Sequence, residues 1–131
     1  MHTPGRINFL AKNQIFVFGS NLAGRHGRGA AKTALTWGAK YGRGVGLQGK
    51  TYAIPTKNEN LKTLGLEDIG FFVSEFIEFA KRNKELIFLV TKIGCGLAGM
   101  SPEQIAPLFK GAINVSNIWL PKHFQKIILD G

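Results

Sequence analysis

Apolar residues follow two rhythms along this chain. Short continuous runs, QIFVF at 14–18, TYAIP at 51–55 and LIFLVT at 86–91, are β-branched and aromatic and end at glycine, proline or threonine. Such runs predict strands, and the unbroken run at 86–91 predicts a central strand buried on both faces. The other rhythm is helical. In GLEDIGFFVSEFIEFAKRN, residues Ile69, Phe72, Val73, Phe76, Ile77 and Ala80 recur at i, i+3, i+4 and i+7. Glu67 and Asp68 open that stretch and Lys81 and Arg82 close it, each complementing the helix dipole. A second helix is predicted over 28–39, RGAAKTALTWGA, and a third from SPEQ at 101–104 to about Ala112. There Ser101 caps, Pro102 suits the first turn and Gln104 completes a capping box. VSNIWL at 115–120 predicts a further strand, and QKIILDG at the end a last one. Residues 41–49 and 56–65 read as loops.

Strands alternating with helices predict one α/β layered domain spanning residues 1–131, with ligands binding beyond the carboxyl ends of its strands. Two of those ends run into glycine-rich loops: IFVF into GSNLAGRHGRG, and LIFLVT into KIGCGLAG. Glycine lets a backbone approach a ligand closely, and unpaired N–H groups at such turns attract anions. Familiar phosphate motifs fit poorly. Gly24 and Gly29 have Walker A spacing, but Ala30 and Ala31 follow where lysine and a hydroxyl are needed. GCGLAG at 94–99 matches GxGxxG, yet no acid lies between Glu103 and Asp130 to hold a ribose.

Charge sharpens the picture. The net charge is +9, and residues 1–62 hold ten basic residues against Glu59 alone. Residues 63–131 hold seven of each sign. The surplus therefore coincides with the first glycine loop and predicts an anionic partner: a nucleotide, a phosphorylated metabolite or nucleic acid. No apolar run is long enough for a membrane span. The single Cys95 excludes an internal disulfide, and the N-terminus lacks an apolar leader. Together these predict a cytoplasmic protein without membrane contact. Three scattered histidines and one cysteine give no metal-ligand spacing, so neither metal nor cofactor is expected.

The succession VFGSNLAGRHGRGAAKTAL, TYAIPT, LIFLVTKIGCGLAGMSPEQIAPLF resembles macrodomains over roughly residues 14–120, and most of all the compact macrodomain-like proteins of bacteria and phages. The resemblance implies a three-layer α/β/α fold with a central mixed sheet that binds ADP-ribose or a related nucleotide. It implies that Gly94, Cys95, Gly96, Leu97 and Ala98, after Thr91, cradle the diphosphate and distal ribose. Gly19, Ser20, Gly27 and Gly29 would flank the ligand, with Asn21 pointing at the ribose. Hydrolysis of an ADP-ribosyl bond is the activity such a site could carry, with Asn21 orienting the ribose. Two departures stand out. Residues 1–58 contain no acid to read an adenine amino group, and the first loop offers Arg25, His26 and Arg28 where hydrolytic macrodomains often carry an acid.

Weighed singly, His26 is the one neutral-pH base in the loop, against the plainer reading of a hydrogen-bonded bystander. Cys95 reads as a small residue in a tight turn before it reads as a nucleophile. Trp37 and Trp119 are expected in the core. Tyr41 and Tyr52 flank the 41–49 loop, where Arg43 and Gln48 could meet a phosphate or a base. Two alternatives to nucleotide binding stay open: a nucleic-acid-binding domain whose basic half tracks an RNA or DNA backbone, and an interaction protein of phage or bacterium that reuses the fold as a surface.

Overall fold

The computed structural model describes residues 1–131. Six strands form one sheet: β1 (His2–Thr3), β2 (Gln14–Asn21), β3 (Gly46–Gln48), β4 (Thr51–Lys57), β5 (Ile87–Val90) and β6 (Ile118–Pro121). Their spatial order is β1-β6-β5-β2-β4-β3, and every pairing is parallel except that of β3 with β4. Helices α1 (Gly29–Leu35), α2 (Leu66–Lys81), α3 (Pro102–Ile105) and α4 (Lys122–Asp130) complete a three-layer α/β/α arrangement, with a 3-10 segment at Ala106–Ala112.

The period-two alternation of the strands sorts the layers. Ile15 and Val17 of β2 join Tyr52, Ile54, Phe88 and Val90 under α2, the 3-10 segment and α4. Phe16 and Phe18 point the other way, with Ala53, onto the alanine face of α1 and onto Ile7 and Leu10. Because both faces of β2 are covered, its sequence shows a run and no alternation. The helical stripe on α2 is buried as its spacing predicts except at Phe72, which is half-buried; Ile69, Val73, Phe76 and Ala80 are fully enclosed. Each of these larger side chains contributes about 1.5–3 kcal/mol of burial.

Several elements differ from the sequence reading. The tail is helix α4, not a strand: Phe124, Ile127 and Ile128 fall at i, i+3 and i+4 and pack onto the main core, which outweighs the β-branched run. The expected helix at 101–112 is α-helical only to Ile105. Pro107 has no N–H to give to the carbonyl four residues earlier, so the chain tightens into 3-10. Its start is as expected: Gln104 N donates to Ser101 Oγ (3.2 Å) and Ser101 N donates to Gln104 Oε1 (2.9 Å). Helix α1 ends at Leu35, four residues early, where Ala39 N donates back to Ala34 O (3.1 Å) around Gly38. The 41–49 loop contains β3, and the strand expected at 115–120 begins at Ile118. Strand β1 carries no pattern at two residues. It is held by Thr3, whose hydroxyl lies 2.8 Å from Val90 O and 2.7 Å from Trp119 O. Trp37 and Trp119 are half-buried, and Trp37 packs against Phe16 in a tilted pair with ring centroids 5.0 Å apart.

Two contacts fix the frame. Asn117 is buried, and its amide nitrogen donates to the carbonyls of Ala80 (2.9 Å), Asn83 (3.2 Å) and Leu86 (3.1 Å), pinning the turn between α2 and β5. At the other end, backbone meets backbone: a Cβ on Gly44 would sit 1.9 Å from Asn21 O, and one on Gly24 would sit 2.3 Å from the Gly42 carbonyl carbon. These glycines let the 38–49 segment lie directly on the first glycine loop.

Asn117→Leu is expected to cost about 1–3 kcal/mol in urea unfolding, since buried carbonyls lose their donor. Gly44→Ala is expected to lower stability by ~2 kcal/mol or more, because only backbone movement can relieve the clash. An unchanged midpoint for either variant would contradict these contacts.

Candidate functional site

Strands β2 and β5 are neighbours, paired in parallel from Gln14↔Ile87 to Val17↔Val90. Their carboxyl ends therefore lie side by side, and both glycine loops leave from one edge. Thr91 locks this end: its N–H and its hydroxyl both donate to Val17 O, at 3.1 and 2.8 Å. A Cβ on Gly19 would sit 3.5 Å from Gly94 N, so the first residues of the two loops touch. Between them opens a cleft of about 490 Å³.

Gly19, Ser20, Asn21, Gly27, Gly29, Thr91, Gly94, Gly96, Leu97 and Ala98 all line this cleft. In the first loop the N–H groups of Gly27, Arg28, Gly29, Ala30 and Ala31 have no hydrogen-bond partner within the protein. The same is true of Lys92, Gly94, Gly96, Leu97 and Ala98 in the second. Helix α1 has only seven residues, and α3 begins at Pro102, beyond the second loop. The partial positive charge therefore comes from individual unpaired amides, those of the two loops and of the opening turn of α1. Arg25, Arg28, Lys57 and Lys92 add full charges, and no aspartate, glutamate, histidine or cysteine lines the cleft.

Two expected residues lie elsewhere. His26 is fully buried beneath the first loop. Its Nε2 bridges Lys40 O (2.8 Å) and Arg43 O (3.0 Å), while Phe18 and Tyr41 flank its ring. With two carbonyls facing Nε2, the proton resides there, and Nδ1 is buried without a partner. His26 thus anchors the loop to the 40–43 turn and does not reach a ligand. Gln48 holds the same turn, accepting from Lys40 N (2.8 Å) and donating to Arg43 O (2.9 Å). Cys95 turns toward the main core, its thiol 3.5 Å from Ile93 O. Burial pushes that thiol above its ordinary pKa. Lys92 opposes the rise and Glu103 adds to it, so the sulfur stays protonated at neutral pH. Tyr52 is a core residue against Phe76, and burial likewise raises its phenol.

Asn21 lines the cleft, but its amide is engaged. Nδ2 donates to Arg25 O and Oδ1 accepts from Arg25 N, both at 2.9 Å, closing the loop into a ring. Ser20 is buried and donates to Gly44 O, which ties the 38–49 segment to the end of β2.

A third wall, absent from the sequence reading, comes from the end of β4 and the turn after it: Thr56, Lys57 and Leu61. Asn58 Oδ1 accepts from Asn60 N (2.8 Å) and Lys62 N (3.1 Å), and this turn holds Leu61 at φ 62°. That conformation is costly for a bulky residue. Thr63 then ties the turn to the second loop by donating to Ala98 O at 2.8 Å. Only the strand order, which sets β4 beside β2, could have pointed to these residues. Lys92, Ile93, Ala30 and Ala31 also line the cleft and lie one or two positions from residues the sequence did single out.

No family model matches this chain, and no curated protein matches it in sequence. One solved structure, that of a protein of unknown function from Bacteroides thetaiotaomicron, is similar to it with a TM-score of 0.61 at 15% identity, over 87% of this chain and 88% of that one. At that identity the likeness is one of fold, and it extends over nearly the whole domain.

Proposed function

We propose that the cleft binds the diphosphate and adjoining ribose of an ADP-ribose-type nucleotide. The observation that carries this reading is the convergence of two sets of unpaired loop amides, with four cationic side chains and no carboxylate, on one cleft. A diphosphate takes many donors, and unpaired amides with cations and no carboxylate suit its charge. About 490 Å³ lies within the range of small-ligand pockets.

The reading is one of binding. A hydrolase of the acid–base type needs a group that can take or give a proton near neutrality, within reach of the reacting bond. The lining offers hydroxyls, an amide already bonded to its own loop, and permanently charged cations. The ring closed by Asn21 supports a structural role for that residue: it holds the amides of the first loop in place.

Calorimetry with ADP-ribose and with ADP is expected to show one site for each. Gly96→Glu and Gly27→Glu place a carboxylate where an added Cβ meets nothing within 4 Å. Each is expected to weaken binding at least tenfold, about 1.4 kcal/mol, with the melting temperature nearly unchanged. Failure of every nucleoside diphosphate to bind would remove the proposal.

A further inference from the structure

A second cavity adjoins the first. It has a volume of about 1080 Å³ and runs over the ends of β1, β5 and β6, between α1 and α4. Ala30, Thr91 and Lys92 line both, so the two lie side by side and share a wall. The second groove is basic along its length. Arg6 comes from the N-terminal segment, Lys92 from the shared wall, and Lys122 and Lys126 from successive turns of α4. His2 and His123 add two imidazole rings. No aspartate or glutamate lines it; Glu103 lies behind it with its carboxylate 3.8 Å from His123 Nε2, and Asp130 follows the lining residue Leu129.

These features do not suit the far end of a single mononucleotide. A cleft of 490 Å³ and a groove of 1080 Å³ beside it together exceed the roughly 300–1,000 Å³ that a small ligand fills. Seven of the 17 lysines and arginines, Arg6, Arg25, Arg28, Lys57, Lys92, Lys122 and Lys126, line this one path. Cations spaced along an acid-free channel match a chain of phosphates. A groove recessed into the domain surface admits one strand, whereas a duplex would ride on its rims.

We propose that the groove is a backbone channel for single-stranded nucleic acid, whose terminal nucleotide enters the glycine-lined cleft. Lysines and arginines hold successive phosphates, and the two imidazoles offer stacking faces to bases. The proposal goes beyond nucleotide binding and rests on that reading only for where the strand ends.

The test is fluorescence anisotropy with labelled ten-nucleotide oligo-U and oligo-dT, a duplex of equal length, and separate calorimetry with ADP-ribose. At least one single strand is expected to bind more tightly than the duplex. The slope of log K against log salt is expected near −3, corresponding to about four or five phosphates at ~0.7 each. The double variant Lys122→Glu/Lys126→Glu is expected to weaken strand binding at least tenfold. Lys84→Glu/Lys110→Glu makes the same change in net charge at exposed positions outside both cavities and is expected to change it less than twofold. Equal losses in the two variants, a duplex bound as tightly, or no strand binding would each overturn the channel. ADP-ribose binding without strand binding removes the channel and keeps the cleft reading. Strand binding without ADP-ribose keeps the channel and removes the nucleotide reading.

Discussion

Everything at the functional edge depends on the parallel pairing of β2 with β5. Parallel neighbours present the same end to the same side, so one pairing brings two loops 70 residues apart in sequence to a common cleft. Thr91 enforces the alignment by giving both its donors to a single carbonyl, that of Val17. A one-residue slip would turn Phe16 and Phe18 toward the space held by Ile15 and Val17. Both faces of β2 are packed, so the register is fixed from above and below.

The glycines at this edge include two kinds. Gly24 and Gly44 allow main chain to lie against main chain, and they serve the protein's interior. Gly27 and Gly96 border open space and serve the cleft. The same division runs through the polar residues. His26, Gln48 and Ser20 face inward and lock the 38–49 segment beneath the loop. Together these bonds hold the first loop in one defined shape from within the protein.

Most of the architecture was legible because the strong signals were local. The three apolar runs became β2, β4 and β5, and the α2 stripe is buried at the positions its spacing names, Phe72 excepted. The capping box at Ser101 was readable residue by residue, and so was the list of loop glycines. What escaped depends on contacts between distant segments. Nothing near His26 announces that Lys40 and Arg43 will close over it. The helix α4 was masked by Ile127 and Ile128, whose strand preference yields to packing on the main core, where Phe124 meets Phe109. Strand β1 is held by its pairing with β6 and by Thr3, whose side chain reaches two carbonyls far along the chain. The third wall of the cleft required the order β5-β2-β4, which no local pattern encodes.

The turn that carries Leu61 joins three parts of the molecule. Asn58 shapes it, Thr63 ties it to the second loop, and Leu64 N donates to Thr56 O just ahead of α2. Leu61 itself stands on the wall of the cleft in a conformation that only these bonds make tolerable. One short turn thus staples the end of β4, the second glycine loop and the chain entering α2 into a single rim.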